Sequence, residues 1–453
     1  MASNIKTMTE GKPVSLIVAF ALPLMAGNVF QQLYTVVDTM VVGKALGVNA
    51  LAALGAAEWL NWLMLGIIQG LTQGFAILIA QEFGAKQIEK LKQVIGSTAV
   101  LAAVSALALL ILGQLMVWPI LFLLQTPDTI INDTLLYLRI MYAGVPVVMS
   151  YNLLASILRA LGDGKTPLYA MVAASVINIG LDLLFVLEFH WGIAGAAIAT
   201  LIAQVFSSLF CLWNIRKIEF LSMKKHHFRL HGALSRKLFL LGTPMAFQNV
   251  MIAVGGMIVQ LVVNGFGVVF IAGFTATNKL YGVLEVAATS YGYSMITYVG
   301  QNLGAGKIQR IRKGVRSANF IAILTSLVIA AAMLVFGKII LSWFISGDPL
   351  EAEQALQIAY FYLAIMSLFL PVLYILHVVR SAIQGMGNTV LPMMSGVAEF
   401  VMRTLTAILL PLILGQTGIF FAEIMAWFGA DLILITSYFV TIKKIEKKFH
   451  TGG

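Results

Sequence analysis

Four polar residues in the N-terminal half of the chain have the types that bind a small cation or share a proton. They are Asp38, Asn178, Asp182 and Thr200. Asn178 precedes Asp182 by four positions, so the two side chains lie on one face of a helix, one turn apart. Two carboxylates, an amide oxygen and a hydroxyl suit a hard monovalent cation, whereas two close carboxylates can equally share one proton. The residue types leave Na+, H+ and a structural role in hydrogen bonding between helices open.

The composition places these residues in a membrane. Of 453 residues, 60% are hydrophobic and only 11% are charged, far below the roughly 25% charged residues of soluble domains. Apolar runs such as 14–42, 94–118 and 168–187 each approach or exceed the roughly 20 residues that a helix needs to cross a bilayer. We therefore predict an all-α integral membrane protein without a removable signal peptide. The single cysteine, Cys211, excludes an internal disulfide.

The distribution of positive charge predicts the topology. The net charge is +10, but most of the 29 Lys and Arg residues cluster in alternate loops, around residues 86–92, 159–165, 216–237 and 307–316 and at the C-terminus. By the positive-inside rule, these loops and both termini are cytoplasmic, with about twelve membrane-spanning helices. The excess of Lys and Arg is therefore explained by membrane topology and does not indicate nucleic-acid binding. We expect a multi-pass protein of a prokaryotic inner or plasma membrane.

An internal repeat divides the chain. "AQEFGAKQIEKLK" at 80–92 recurs as "GQNLGAGKIQRIR" at 300–312, and further matches follow at a spacing of 225. Each half holds six predicted helices, an even number, so the repeats have parallel orientation. The prediction is two pseudo-symmetric six-helix bundles, residues 1–215 and 238–453, joined by a cytoplasmic connector, 216–237.

Some residues of the repeat have the types that permit bending. Gly84 and Gly304 are expected to take the positive φ of a tight turn behind a helix. Pro23 lies inside the first helix, with a counterpart, Pro244, in the seventh, and each removes a backbone hydrogen bond and permits a bend. The residue types at these positions are compatible with a role in conformational gating and equally with a role in helix packing alone.

The second half does not repeat the polar set. At the 225 spacing Asn178 corresponds to Arg403 and Asp182 to Ala407. Glu399 and Arg403 are four apart on one helix and are expected to form an ion pair. Polar positions that could face a transported molecule are Tyr34, Asn152, Gln204 and Glu285. The connector histidines His226, His227 and His231 offer a possible metal site.

The sequence resembles the multidrug and toxic compound extrusion (MATE) transporters, and among them the DinF-like branch. The resemblance rests on "LPLMAGNVFQQLYTVVDTMVVGKALG", "AQEFGA" and its repeat, "LRALGDGKTP", "NIGLD" and "GIAGAAIAT", in this order. It implies two six-helix lobes that form a V around a central cleft, and export of organic cations in exchange for Na+ or H+. It also implies that Asp38, Asn178, Asp182 and Thr200 form the cation-coupling site, with Na+ as one possible occupant, and that Pro23 bends. Other branches carry acids on helices 7 and 10, which are absent here, so coupling through the second lobe is doubtful.

We therefore predict a secondary multidrug antiporter without cofactors, monomeric, that acts on small organic cations within the lipid bilayer. The alternative is a lipid-linked saccharide flippase of the same superfamily, which the intramembrane cations Arg139, Lys279, Arg380 and Arg403 keep open. The hypothesis of an enzyme with its active site inside the membrane is disfavoured, because the sequence contains no HExxH motif, no GxSxG motif and no intramembrane His cluster. An ion channel is disfavoured because no loop resembles a selectivity filter.

Overall fold

The computed structural model describes residues 4–345 and 348–451, and in these ranges the chain is almost entirely helical, without a β-strand. A π-helical turn, Leu183–Glu188, follows α6, and short 3-10 turns occupy Glu219–Leu221, Lys225–Phe228, Asn264–Phe266 and Gly415–Phe421. The helices are α1 Pro13–Leu46, α2 Val48–Gly84, α3 Ile88–Leu123, α4 Asp128–Ala143, α5 Val145–Ala160, α6 Lys165–Asp182, α7 Gly192–Arg216, α8 Gly232–Val263, α9 Val268–Gly304, α10 Ile308–Ser342, α11 Pro349–Gly385, α12 Val390–Leu409, α13 Pro411–Leu414 and α14 Ala422–Thr451.

The helices match the predicted class of multi-span membrane protein. Among the described residues, 9 helices are long and apolar enough to cross a membrane, or 10 when α4 and α5, which meet at a bend of 49°, count as one span. This count treats Val390–Lys447 as one helix although it contains both α12 and α14. It also leaves out α9, which has 37 residues but a more polar sequence. With these two corrections the predicted number of about twelve spans is confirmed.

The described chain forms two compact units. The first contains Leu22–Ala246 together with the chain up to Met8, and the second contains Thr9–Ala21 together with the chain from Phe247 onward. The division cuts through α1 next to Pro23 and through α8 two residues after Pro244. Each proline therefore lies where its helix passes from one unit to the other. Between α7 and α8 the chain is non-helical apart from two short 3-10 turns, and α8 begins at Gly232.

The repeated turn after α2 and α9 has the same backbone geometry in both units. In the first, the Gln87 N–H donates to the Glu82 carbonyl and the Lys86 N–H to the Phe83 carbonyl. The second has the equivalent bonds, from Lys307 to Asn302 and from Gly306 to Leu303. This is the Schellman arrangement, in which the residue after the C-cap takes a positive φ.

The prediction that Gly84 and Gly304 hold the positive φ is wrong. Both are the last residues of their helices, and the left-handed positions are Lys86, at φ 58°, and Gly306, at φ 69°. The reason is that a Schellman turn places its left-handed residue two positions after the last helical residue. Only the second repeat has a glycine at that position.

Close contacts between helix backbones hold the first unit together. A Cβ atom added to Gly70 would lie 2.4 Å from the Ala246 backbone, and one added to Gly74 would lie 2.4 Å from Gly242. Both helices thus present small residues four apart, which is the spacing that lets membrane helices approach closely. The outward faces of α3 and α10 carry exposed apolar side chains such as Leu115 and Val335, as expected for surfaces in contact with lipid.

Candidate functional site

The first unit brings the two predicted carboxyl groups together. Asp38 lies in the C-terminal part of α1, and Asp182 is the last residue of α6 and is fully buried. Their carboxyl groups are within hydrogen-bonding reach of each other. Two carboxylates approach this closely only when a proton or a cation lies between them, because two negative charges otherwise repel. In the described structure, Oδ1 of Asp38 is buried and has no hydrogen-bond partner, so it can accept one from a ligand.

A change of helix type positions Asp182. The α-helical hydrogen bonding of α6 ends at this residue, and the wider π-helical turn Leu183–Glu188 follows directly. A π-turn changes the direction of the side chains and carbonyl groups around it, and such turns are frequent at functional sites. No residue pattern in the sequence indicated this transition.

Asn178 and Thr200 lie on the neighbouring faces of α6 and α7. The Asn178 amide donates to the Thr200 hydroxyl at 3.5 Å, and that hydroxyl donates to the Ala196 carbonyl at 3.1 Å. Both residues line a cavity of about 10 Å³ together with Tyr34 and Gln204. This volume is about the space of one water molecule and far below the roughly 300–1,000 Å³ of sites for drug-sized ligands. In this conformation the cavity has room for a water molecule or a small ion and not for a drug-sized molecule.

The residues predicted to face a transported molecule do not form one group. Tyr34 and Gln204 line the cavity, and the buried Gln204 Oε1 has no hydrogen-bond partner in the described structure. Asn152 is not among the lining residues, and its amide donates to the Val148 carbonyl of its own helix. Glu285 belongs to the second unit, where its carboxylate lies 3.3 Å from His377 Nε2.

Sequence reasoning missed other residues beside this site. Tyr137, from α4, is buried and lies close enough to Asp38 and Asp182 for their charges to act on its hydroxyl. Ser175 and Ser207 add hydroxyl groups to the cavity wall. Ser175 precedes Asp182 by seven positions, two helical turns, and this spacing could have indicated that it lies on the same face of α6.

The second unit contains a buried network of charged side chains. Arg380 of α11 contacts Glu399 of α12, and Arg403 of α12 lies 2.7 Å from Glu423 of α14. The predicted ion pair within α12 is present, with Arg403 and Glu399 4.0 Å apart, but it is the longest contact of this network. Each side chain is closer to an opposite charge on a neighbouring helix than to the one a turn away. The same two pairs neutralise two of the four intramembrane cations noted in the sequence.

Two histidines of the connector, His226 and His227, lie beside Glu89 of α3. Nε2 of His226 and Nε2 of His227 lie 3.5 and 2.6 Å from Oε1 of Glu89, and these groups are close enough together to be considered as metal ligands. However, His227 Nδ1 accepts the Lys224 backbone N–H at 2.8 Å. In a neutral imidazole the other nitrogen then carries the proton, so Nε2 donates to Glu89. This bond attaches the connector to the first turn of α3.

Comparisons with known proteins agree with this architecture. The MatE family model matches residues 23–184 and 244–430, which is more than half of the chain. The chain belongs to the MatE family. It is 30% identical to the probable multidrug resistance protein YpnP of Bacillus subtilis over 78% of this chain and 80% of that protein. It is 29% identical to the probable multidrug resistance protein YoeA of the same organism, over 75% of this chain and 74% of that protein.

Solved structures show the same fold. One is the outward-facing conformation of a multidrug resistance MATE family transporter, with a TM-score of 0.89 and 20% identity over 97% of this chain and 98% of that one. Another is a MOP superfamily transporter from Pyrococcus furiosus Vc1, with a TM-score of 0.88 and 20% identity over 98% of both chains. As a member of the MatE family, the chain is a multi-pass membrane transporter and not an enzyme.

Proposed function

We propose that this MatE protein is a secondary multidrug antiporter that exports organic, mainly cationic compounds in exchange for Na+ or H+. The carboxyl pair Asp38 and Asp182 is the observation that carries the proposal. The pair lies on α1 and α6, inside the first unit. Ionisable groups within a membrane helix are costly, and their default explanation is a transport function.

The pair and its surroundings supply the chemistry that coupling needs. Na+ and H+ each carry one positive charge, so either ion between Asp38 and Asp182 cancels one of the two negative charges, relieves their repulsion and stabilises the closed arrangement. The Asn178 side-chain oxygen and the Thr200 hydroxyl supply further oxygen atoms of the kind that Na+ prefers. The small cavity adjoins Asn178 and Thr200. Tyr34, one helical turn before Asp38, lies in the wall of this cavity and thus links it to the helix that carries Asp38.

Exchange requires that the coupling ion and the exported compound are not held together. Occupation of the carboxyl pair therefore disfavours the substrate-bound state, by a coupling free energy of about 1–3 kcal/mol. Asp38 lies on α1 and Asp182 on α6. A bend of α1 at Pro23 would move Asp38 and Tyr34 relative to Asp182. We infer that this bend transmits ion binding to the cavity.

The names of the relatives supply the substrate class. YpnP and YoeA are described as probable multidrug resistance proteins, and organic cations fit a site whose own charge is negative. A saccharide flippase would use intramembrane cations to bind phosphate groups. Arg380 and Arg403 are already paired with Glu399 and Glu423, so that alternative loses two of its four candidate cations.

The experiment is dye export from proteoliposomes that contain the purified full-length protein. A Na+ gradient and a pH gradient are imposed separately, and export of a cationic dye is compared with export of an anionic dye of similar size. Expected is export of the cationic dye under at least one gradient, lost in Asp38→Asn and retained in Asp128→Asn, an exposed aspartate at the start of α4. An export rate that is the same with and without each gradient would contradict antiport. Faster export of the anionic dye than of the cationic dye would contradict the proposed substrate class.

A further inference from the structure

Asp431 of α14 is a buried acid that forms no hydrogen bond or ion pair with the described residues. Its exposed fraction is 7%, and its Oδ1 makes no hydrogen bond within the described structure. Among the described residues, no Lys, Arg or His nitrogen forms an ion pair with it. An ionised carboxylate in such a position would be among the most costly groups that a membrane helix can hold.

The charged groups on the helices packed against α14 are balanced without Asp431. α14 packs on α11, on α12 and on the 3-10 turn Gly415–Phe421, which has no ionisable residue. The arginines from α11 and α12 are matched one to one by carboxylates, Arg380 by Glu399 and Arg403 by Glu423. The imidazole of His377, one turn before Arg380 on α11, is directed to Glu285 of α9. Arg380, Arg403 and His377 thus each contact another acid, and Asp431 is an additional negative charge that forms an ion pair with none of these three groups.

We propose that Asp431 carries a proton in this conformation, so that the second unit contains a proton-binding site of its own. A proton from water binds to one carboxylate oxygen and removes this additional charge. A proton fits this position better than a metal ion does, because Na+ needs several oxygen ligands. Among the described residues, no hydroxyl or amide group forms a hydrogen bond with Oδ1 of Asp431.

Through Arg380, the protonation state of Asp431 affects which carboxylate pairs with the arginine of α11. Its guanidinium contacts Glu399 and also lies close enough to Asp431 for the two charges to interact. When Asp431 loses its proton, the carboxylate competes with Glu399 for Arg380, one acid lying on α14 and the other on α12. Protonation of Asp431 therefore selects the pairing seen here. This inference does not depend on the proposed role of the carboxyl pair in the first unit.

Infrared spectroscopy tests the protonation state directly, since a protonated carboxylic acid has a carbonyl stretch that a carboxylate lacks. The full-length protein in lipid vesicles is compared at neutral pH with Asp431→Asn. Expected is the loss of the intensity of one protonated carboxyl group in the variant, whereas Asp128→Asn, whose acid is exposed, leaves the band unchanged. The same comparison in an Asp38→Asn, Asp182→Asn background separates Asp431 from the first-unit pair. An unchanged band in Asp431→Asn would overturn the proposal.

Thermal stability provides a second, independent readout. The amide in Asp431→Asn replaces a neutral acid of the same shape, so the melting temperature at neutral pH is expected to equal that of the wild type. A marked loss of stability would show instead that Asp431 is ionised and serves as a counter-charge for Arg380. Neither measurement uses export. Failure of this proposal is therefore distinguishable from failure of the antiport proposal, which the dye experiment alone decides.

Discussion

The two units have the same scaffold but opposite arrangements of buried charge. Their turns correspond in detail, with φ of 84° at Gly47 and 90° at Gly267, and 87° at Gly162 and 85° at Gly387. In the first unit, two acids, Asp38 and Asp182, approach each other. In the second, the position equivalent to Asn178 is Arg403, buried and paired with Glu423. Duplication preserved the backbone where turns restrict it, while the polar interior diverged.

This difference separates two roles for buried charge. Paired charges of opposite sign in the second unit fix the packing of α11, α12 and α14 and need no ligand. Charges of like sign in the first unit need a proton or a cation before they are stable. We therefore expect substitutions in the first unit to affect ion dependence and substitutions of the paired residues in the second to affect stability.

The largest expected effect is on export. Asp38→Asn and Asp182→Asn should reduce gradient-driven export by roughly 5-fold to 150-fold, the range that a coupling of about 1–3 kcal/mol spans. The proteins should remain folded, because each substitution removes a like-charge repulsion. The measurement is initial dye export from proteoliposomes, with melting temperature in parallel. Normal export with unchanged ion dependence in Asp182→Asn would mean that the pair is structural.

Glu399→Gln tests the second unit. It leaves the Arg380 guanidinium buried without its contacting carboxylate, and breaking a buried ion pair in this way costs about 3–5 kcal/mol. Stability is measured by thermal or denaturant unfolding, with Glu353→Gln, an exposed acid on α11, as control. The double variant Arg380→Met, Glu399→Met should lose much less, because no charge is left unpaired. Equal losses in the single and double variants would show that volume, and not charge, matters at this contact.

The packing of α2 against α8 predicts a smaller loss. Gly74→Ala places a Cβ atom 2.4 Å from the Gly242 backbone, and overpacking of this kind costs about 1–3 kcal/mol. Gly55 lies on the same helix with nothing within 4 Å of an added Cβ, so Gly55→Ala should be neutral or gain up to about 1 kcal/mol. Similar unfolding of the two variants would exclude close backbone contact as the reason for the glycine.

The repeated turn predicts the smallest effects, of opposite sign in the two units. Gly306→Ala forces a Cβ into the left-handed region and should cost about 1 kcal/mol. Lys86→Gly, at the equivalent position, should be neutral or stabilising by a similar amount, since it relieves that strain. Unfolding measurements on both variants compare the turns directly. Destabilisation by Lys86→Gly would indicate that the lysine side chain has a role beyond the turn.

Much of the architecture is encoded locally and was predictable. Apolar runs of about twenty residues or more predicted the membrane helices, because the bilayer thickness sets their length. Repeated residues such as Gln81 and Gln301 predicted two equivalent halves, although the left-handed positions of their turns were assigned two residues early. The approach of Asp38 to Asp182 was anticipated from residue types and from a resemblance, since spacing alone relates only Asn178 to Asp182.

What the sequence by itself determined is the membrane class, the number of helices, the duplication and which helices carry acids. Tertiary structure decided which buried charges meet most closely. Glu399 lies closer to Arg380 than to Arg403, and His227 binds Glu89. Asp431 forms no ion pair among the described residues. The physical reason is that helical periodicity specifies which face a residue occupies but not how neighbouring helices are rotated and shifted. Rotation and shift follow from side-chain packing over the whole unit, and a small change in either exchanges one ion-pair partner for another.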